Sequence, residues 1–186
     1  WLMWKAFDQF YTDFMVGQFK QKNWDFDTLE IVLERGEEKT PRSMEKLITT
    51  LHGGRTGWGW FDKNVKKARQ DIFSLEIVGI DGDIHFIIRT LKKYRRLTES
   101  AIYGAFPDAD VVEVEDYARK LDRTKLEIDY NVFGADYKLK KPDAYPIRTY
   151  HDFLDDSEQK INDPLTQILE VISGLDRGEQ IWIQYI

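Results

Sequence analysis

A loop that cradles nucleotide phosphates needs the spacing G-x-x-x-x-G-K-[ST] directly after a strand. The nearest approach in this chain is Gly53-Gly54-Arg55-Thr56-Gly57. It lacks the lysine and follows a helix-forming segment, so it reads as a helix end running into a loop. The three histidines, His52, His85 and His151, stand far apart and lack the H-x-x-x-H spacing that seats a metal. His52 falls at a helix C-terminus, where a cation suits the dipole. His85 alternates with Ile84 and Phe86 on a strand and faces away from the helices. Asp81, Asp83, Asp108, Asp110, Glu113, Glu115 and Asp116 are numerous enough to suggest a cation site. Asp81-Gly82-Asp83 resembles a fragment of a calcium loop, but the terminal Glu at its required spacing is missing, so these carboxylates read as turns and a solvated edge. With no Cys in 186 residues, disulfides, thiolate metal sites and Cys nucleophiles are excluded. No catalytic, cofactor-binding or metal-ligating residue emerges, and a non-catalytic chain without a cofactor is expected.

Two other groups could bind something. Lys92, Lys93, Arg95 and Arg96 form a basic run where a helix opens. Cations there are slightly unfavourable by the dipole argument, which marks the run as a candidate anion contact for nucleic acid, lipid headgroups or a neighbour's acidic residues. Trp4, Phe7, Phe10, Tyr11 and Phe14 recur at near-helical spacing in residues 1–20. They make an aromatic helix suited to a membrane–water interface, to packing on its own domain, or to a neighbouring subunit. A net charge of -6 argues against a general nucleic-acid binder, because phosphate affinity needs clustered Lys and Arg. No stretch is apolar for the roughly 18–20 residues that span a bilayer, and no signal peptide is visible.

The elements that must position these groups follow from periodicity. Thr28–Leu33 alternates as a strand. Thr40-Pro41 starts a helix as N-cap and first helical residue, with Met44, Leu47, Ile48 and Leu51 as its buried stripe and Gly53-Gly54 as a left-handed end. Residues 54–71 form a loop containing Trp58 and Trp60. Residues 73–80 and 84–90 are strands joined at Asp81-Gly82, the strongest short hairpin signal. Lys93–Phe106 is a second helix stopped by Pro107, and 111–114 a fourth strand. The order strand, helix, strand, strand, helix, strand is that of an α+β ferredoxin-like split βαβ sandwich: a four-stranded antiparallel sheet with two helices on one face, over residues 24–117. Residues 118–186 read as a partial second strand–helix–strand unit. It comprises strand-like 130–139, an extended linker Lys141-Pro142-Asp143-Ala144-Tyr145-Pro146, a helix starting at Asp163-Pro164 with Leu165, Ile168, Leu169, Ile172 and Leu175 inward, and a strand at 180–186. The chain opens at Trp1 and closes inside an apolar alternating run, so both ends are expected to continue in a longer protein. RNA-recognition motifs share this strand order, but their third strand carries Gly-aromatic pairs that stack bases. Asp83–Thr90 has one aromatic residue, and a face bearing Ile87 suits packing against protein.

Several phrases stand in order: Ser43-Met44-Glu45 to Leu51-His52-Gly53, Phe73–Ile80 with Ile84–Thr90, and Ala101-Ile102-Tyr103-Gly104-Ala105-Phe106-Pro107 before Val112–Tyr117. They continue with Tyr145–Tyr150, and with Asp163-Pro164-Leu165 before Gly178–Gln184. This succession resembles the N-terminal, pre-motor region of membrane-anchored type IV secretion or conjugation-like P-loop ATPases from uncultured bacterial lineages. The resemblance implies a preceding membrane segment, a following C-terminal motor domain as partner, and a position at the cytoplasmic face of the inner membrane. It implies an accessory or assembly role, compatible with a homo-oligomer; no ATPase residue carries over, because none of these phrases is catalytic. Two alternatives are a ferredoxin-like nucleic-acid-binding module, which the acidic balance disfavours, and a small enzyme on the same fold with no recognisable site.

Overall fold

Two successive left-handed residues decide the centre of the sheet. Asp81 has φ 55° and Gly82 φ 90°, the pair of positive angles a two-residue hairpin turn requires and that Asp-Gly supplies most cheaply. The turn joins β2 (Ser74–Ile80) to β3 (Asp83–Leu91). The computed structural model describes residues 2–23, 25–33, 41–54, 59, 71–121, 130–138, 140 and 165–186. Its remaining elements are α1 (Leu2–Asn23), β1 (Phe26–Val32), α2 (Pro41–Gly53), α3 (Arg95–Ala105), β4 (Asp110–Glu113), α4 (Thr166–Ser173) and β5 (Gln180–Tyr185). The class is α+β, with four helices and one open five-stranded antiparallel sheet among the described residues.

The sheet order is β4-β1-β3-β2-β5. β1 runs antiparallel to β3, with Leu29 opposite Ile88, and antiparallel to β4, with Ile31 opposite Val111. The expected four strands therefore become five. The strand at the end of the chain, assigned above to a second unit, lies beside β2, where its alternating apolar run takes up a flank that would otherwise be a sheet edge.

One face of the sheet meets the helices. Ile31 and Ile88 pack with Leu47 and Leu51 of α2 and with Ala101, Ile102 and Ala105 of α3. The buried stripe of α2 is narrower than its periodicity suggests: Met44 and Ile48 are exposed, because the 47/51 row alone points into the core. Nor does α2 end left-handed. Gly54 N–H donates to Leu51 O at 3.1 Å, and neither Gly53 nor Gly54 has a positive φ. A Cβ at Gly54 would meet Leu97 Cδ2, the end of a side chain that would have to shift, and would stand 3.3 Å from Leu51 O. The helix expected from Lys93 opens as a 3-10 turn, Lys92–Tyr94, before α3 proper. The opposite face, which bears Ile87 and was expected to suit packing against protein, is also covered: Thr28, Ser74, Glu76, Val78, Ile87 and Leu91 are all buried.

The chain divides into two compact units, one of Trp1–Val78, His85–Val114 and Ile181–Ile186, the other of Gly79–Ile84 and Glu115–Gln180. Within the second, Ile172 of α4 is fully buried and sits over Gly79. Asp81 N–H donates to Glu179 O at 3.1 Å, and Asp81 Oδ1 accepts from Gly178 N–H at 2.6 Å. Leu165 and Ile168, expected to face inward, are exposed, since a two-turn helix can bury only a narrow strip. Residues 130–138 form neither helix nor strand; Phe133 is 93% and Tyr137 97% exposed, so the strand expected there is absent. Thr40, Asp163-Pro164, most of the 54–71 loop and the 141–146 linker lie outside the described residues.

Candidate functional site

The basic run sits where β3 hands over to α3, and that junction surrounds it with acids. Asp25 and Asp27 bracket the start of β1, which lies beside the end of β3 because Phe26 is opposite Leu91. Lys92 Nζ reaches Asp25 Oδ2 at 2.7 Å. Lys93 Nζ reaches the buried Asp71 at 2.7 Å, and Tyr94 Oη donates to the same oxygen at 2.8 Å. Arg95 spans three carboxylates: Nε donates to Glu99 at 2.9 Å, while Nη1 lies 3.4 Å from Asp27 and also meets Glu113. Arg96 is exposed.

These contacts account for the cations at a helix start, since carboxylates supply the offsetting charge. The hydrogen bond and charge of Asp25 hold Lys92 above its ordinary value, and Glu113 and Glu99 do the same for Arg95. An incoming phosphate would have to displace carboxylates already in place, so Lys92, Lys93 and Arg95 are poor candidates for nucleic-acid contact.

Lys93 gives a pH dependence with a definite sign. Partial burial pulls its pKa down, but the hydrogen bond and charge of Asp71 outweigh this and leave it raised above 10.5. A raised pKa means the pairing contributes its full stability below about pH 10.5 and loses it as pH climbs through the folded value. Chemical denaturation of the native chain and of Asp71→Asn between pH 8 and pH 12 (a range chosen to span roughly the Lys titration) is expected to show the native chain more stable at the lower end. The two curves should converge at the upper end. A constant difference across the range would refute the assignment.

Several of the histidines and acids read as structural have local partners. His85 Nδ1 lies 2.6 Å from Glu30 Oε1 across the β1–β3 ladder. His52 stands in the last turn of α2, and His151 is outside the described residues. Asp116 accepts from Ala118 N–H at 3.0 Å. Among the described residues, no group of three His, Cys, Asp or Glu is placed to hold a metal. One polar arrangement was missed. Arg89 Nε lies 3.4 Å from the buried Glu76 Oε1, with Thr28 opposite Arg89 on β1. The legible signal was a pair of charged residues of opposite sign, one within the largely apolar run of each of two neighbouring strands.

The aromatic helix is placed differently from the basic run. On α1, Trp4, Phe7, Phe10 and Phe14 are exposed and Tyr11 is half-buried. Trp4 and Phe7 ring centroids stand 6.2 Å apart, and Phe7 stacks near Tyr11 at 6.3 Å. No described helix is long and apolar enough to cross a membrane. No family model matches the chain, and no curated protein or solved structure matches it.

Proposed function

We propose that the chain is a non-catalytic N-terminal accessory or assembly domain of a membrane-associated type IV secretion or conjugation-like ATPase, acting beside a C-terminal motor domain at the cytoplasmic face of the inner membrane. The family part of this reading rests on the succession of sequence phrases given above. Residues 24–117 are proposed to be a ferredoxin-like split βαβ unit. The order β4-β1-β3-β2, with β1 and β3 central and antiparallel, supports that reading, and β5 is an addition to it.

The observation that carries the assembly role is the exposed aromatic face of α1. Each large side chain left in water forgoes about 1.5–3 kcal/mol of burial, so the face is built to be covered. The pairing of Lys92, Lys93 and Arg95 with the chain's own carboxylates counts against a nucleic-acid-binding role for them.

Two measurements test the reading. The reading frame of the parent gene is expected to continue into a G-x-x-x-x-G-K-[ST] motif; a frame that lacks one overturns the motor assignment. The purified chain is expected to show no ATP turnover, because it has no loop and lysine to hold the β- and γ-phosphates. Turnover that persists through repurification and is abolished by a point change within the chain would make it an enzyme.

A further inference from the structure

The side chains of α1 that stand furthest from cover are Met3 (87% exposed), Trp4 (74%), Phe7 (60%), Phe10 (71%) and Phe14 (55%). Met3, Phe7, Phe10 and Phe14 follow one another by steps of four, three and four. That is the a/d spacing of a helix seam that meets a second helix, rather than the broader stripe of a helix lying on a sheet. Trp4 and Tyr11 flank the seam on one side, while Lys5, Gln9 and Thr12 lie round the back of the helix.

Two features select what covers the seam. The first is charge. Residues 2–14 hold one Lys and two Asp, and the whole chain carries -6, whereas an interfacial helix drawn to anionic lipid is rich in Lys and Arg on its polar side. The seam itself holds no charge, so two copies meet without opposing like charges. The second is area. Aromatic side chains present about 150–250 Å² each. Four such residues, Trp4, Phe7, Phe10 and Phe14, are more than half exposed. With Met3 beside them on each of two copies, they would cover on the order of 1,000 Å² in total, the lower end for specific interfaces.

We propose that α1 pairs with α1 of a second copy of this chain through Met3, Phe7, Phe10 and Phe14, making the domain a homodimer with an isologous helix–helix contact. The inference rests on the reading of α1 as an assembly element and names its partner.

Light scattering and sedimentation of the full chain at about 100 µM, well above the weak-dimer range, are expected to give twice its mass of 22.1 kDa. The Phe7→Glu/Phe10→Glu double variant should be a monomer with an unchanged circular-dichroism melt. Its dimer dissociation constant should weaken at least about 100-fold, the combined loss of two aromatic anchors. Because the chain has no Cys, Phe10→Cys should be joined into dimers by a short bis-maleimide, and Gln9→Cys on the far side should not.

A native chain that stays monomeric overturns the pairing. If that monomer floats with zwitterionic vesicles, the seam meets lipid and the broader assembly reading survives. If it ignores vesicles, both readings fall. A double variant that stays dimeric places the contact elsewhere, and one that loses its fold assigns the seam to the domain's own core. Either result removes the proposal.

Discussion

Replacing Ile88 with Ala is expected to cost about 2–5 kcal/mol of stability, a large share of the roughly 5–15 kcal/mol that holds a domain folded. Ile88 is 2% exposed and occupies the middle of β3, opposite Leu29 of β1. Its side chain enters the cluster that Leu47 and Leu51 of α2 share with Ala101, Ile102 and Ala105 of α3. α3 approaches α2 closely, and Ala101 and Ala105 have no flexible side chains with which to refill the space. The cavity would remain, and the cost falls towards the upper part of the range for that reason. A urea titration at neutral pH should move the midpoint sharply down with the slope unchanged. By contrast, Ile48→Ala on the same core-flanking helix removes an exposed side chain and should change stability by less than about 0.5 kcal/mol. Equal losses at the two positions would mean that the burial assigned to β3 is wrong.

The difference between Ile88 and Ile48 shows where local reading stops. The run at 84–90 was legible as a strand, and the Asp-Gly turn joined it to its neighbour without any knowledge of the rest of the chain; that Ile88 lies on the core side required the fold. A helical stripe such as Met44, Leu47, Ile48 and Leu51 defines only a face about a third of a turn wide, and which edge of it is buried depends on the neighbouring helix. The place of β5 is more remote still. Its apolar alternation was legible, but pairing with β2 joins segments about a hundred residues apart through groups that every strand possesses. The failure at 130–138 has the same origin. Phe133 and Tyr137 have strand-like side chains, yet they are almost fully exposed, because β-propensity expresses packing against neighbours rather than a backbone preference. At the basic run, the dipole mismatch marked Lys92, Lys93, Arg95 and Arg96 as a candidate anion contact, and three of the four meet carboxylates of the chain itself. The explanation lay in Asp25, Asp27 and Asp71, which only the folded chain brings alongside. On α1, helical spacing alone aligns Phe7, Phe10 and Phe14, and all three are exposed.

The second large effect is expected at Gly79, where the requirement is for space and not for an unusual backbone angle. Gly79 lies near the end of β2, and a Cβ built on it would collide with Ile172 Cγ2 and come within 3.2 Å of Leu175 Cδ1. Ile172 is fully buried on α4, and a β-branched side chain in a helix is held to essentially one χ1 rotamer. Its Cγ2 cannot swing aside, so an added methyl must push the backbone of α4 away from the hairpin. Gly79→Ala is therefore expected to destabilise the second unit by about 1–3 kcal/mol, although Ala is the better residue in a strand by propensity. Ile172→Ala alone should cost about 2–5 kcal/mol by emptying the site. The two together should cost clearly less than their sum, because the methyl introduced at 79 occupies part of the space vacated at 172; coupling of this kind amounts to about 0.5–3 kcal/mol. Denaturation curves for the four chains of the cycle measure it directly. Strict additivity would mean that α4 does not rest on Gly79, and a Gly79→Ala chain as stable as the native one would show that the hairpin end has room the close approach denies.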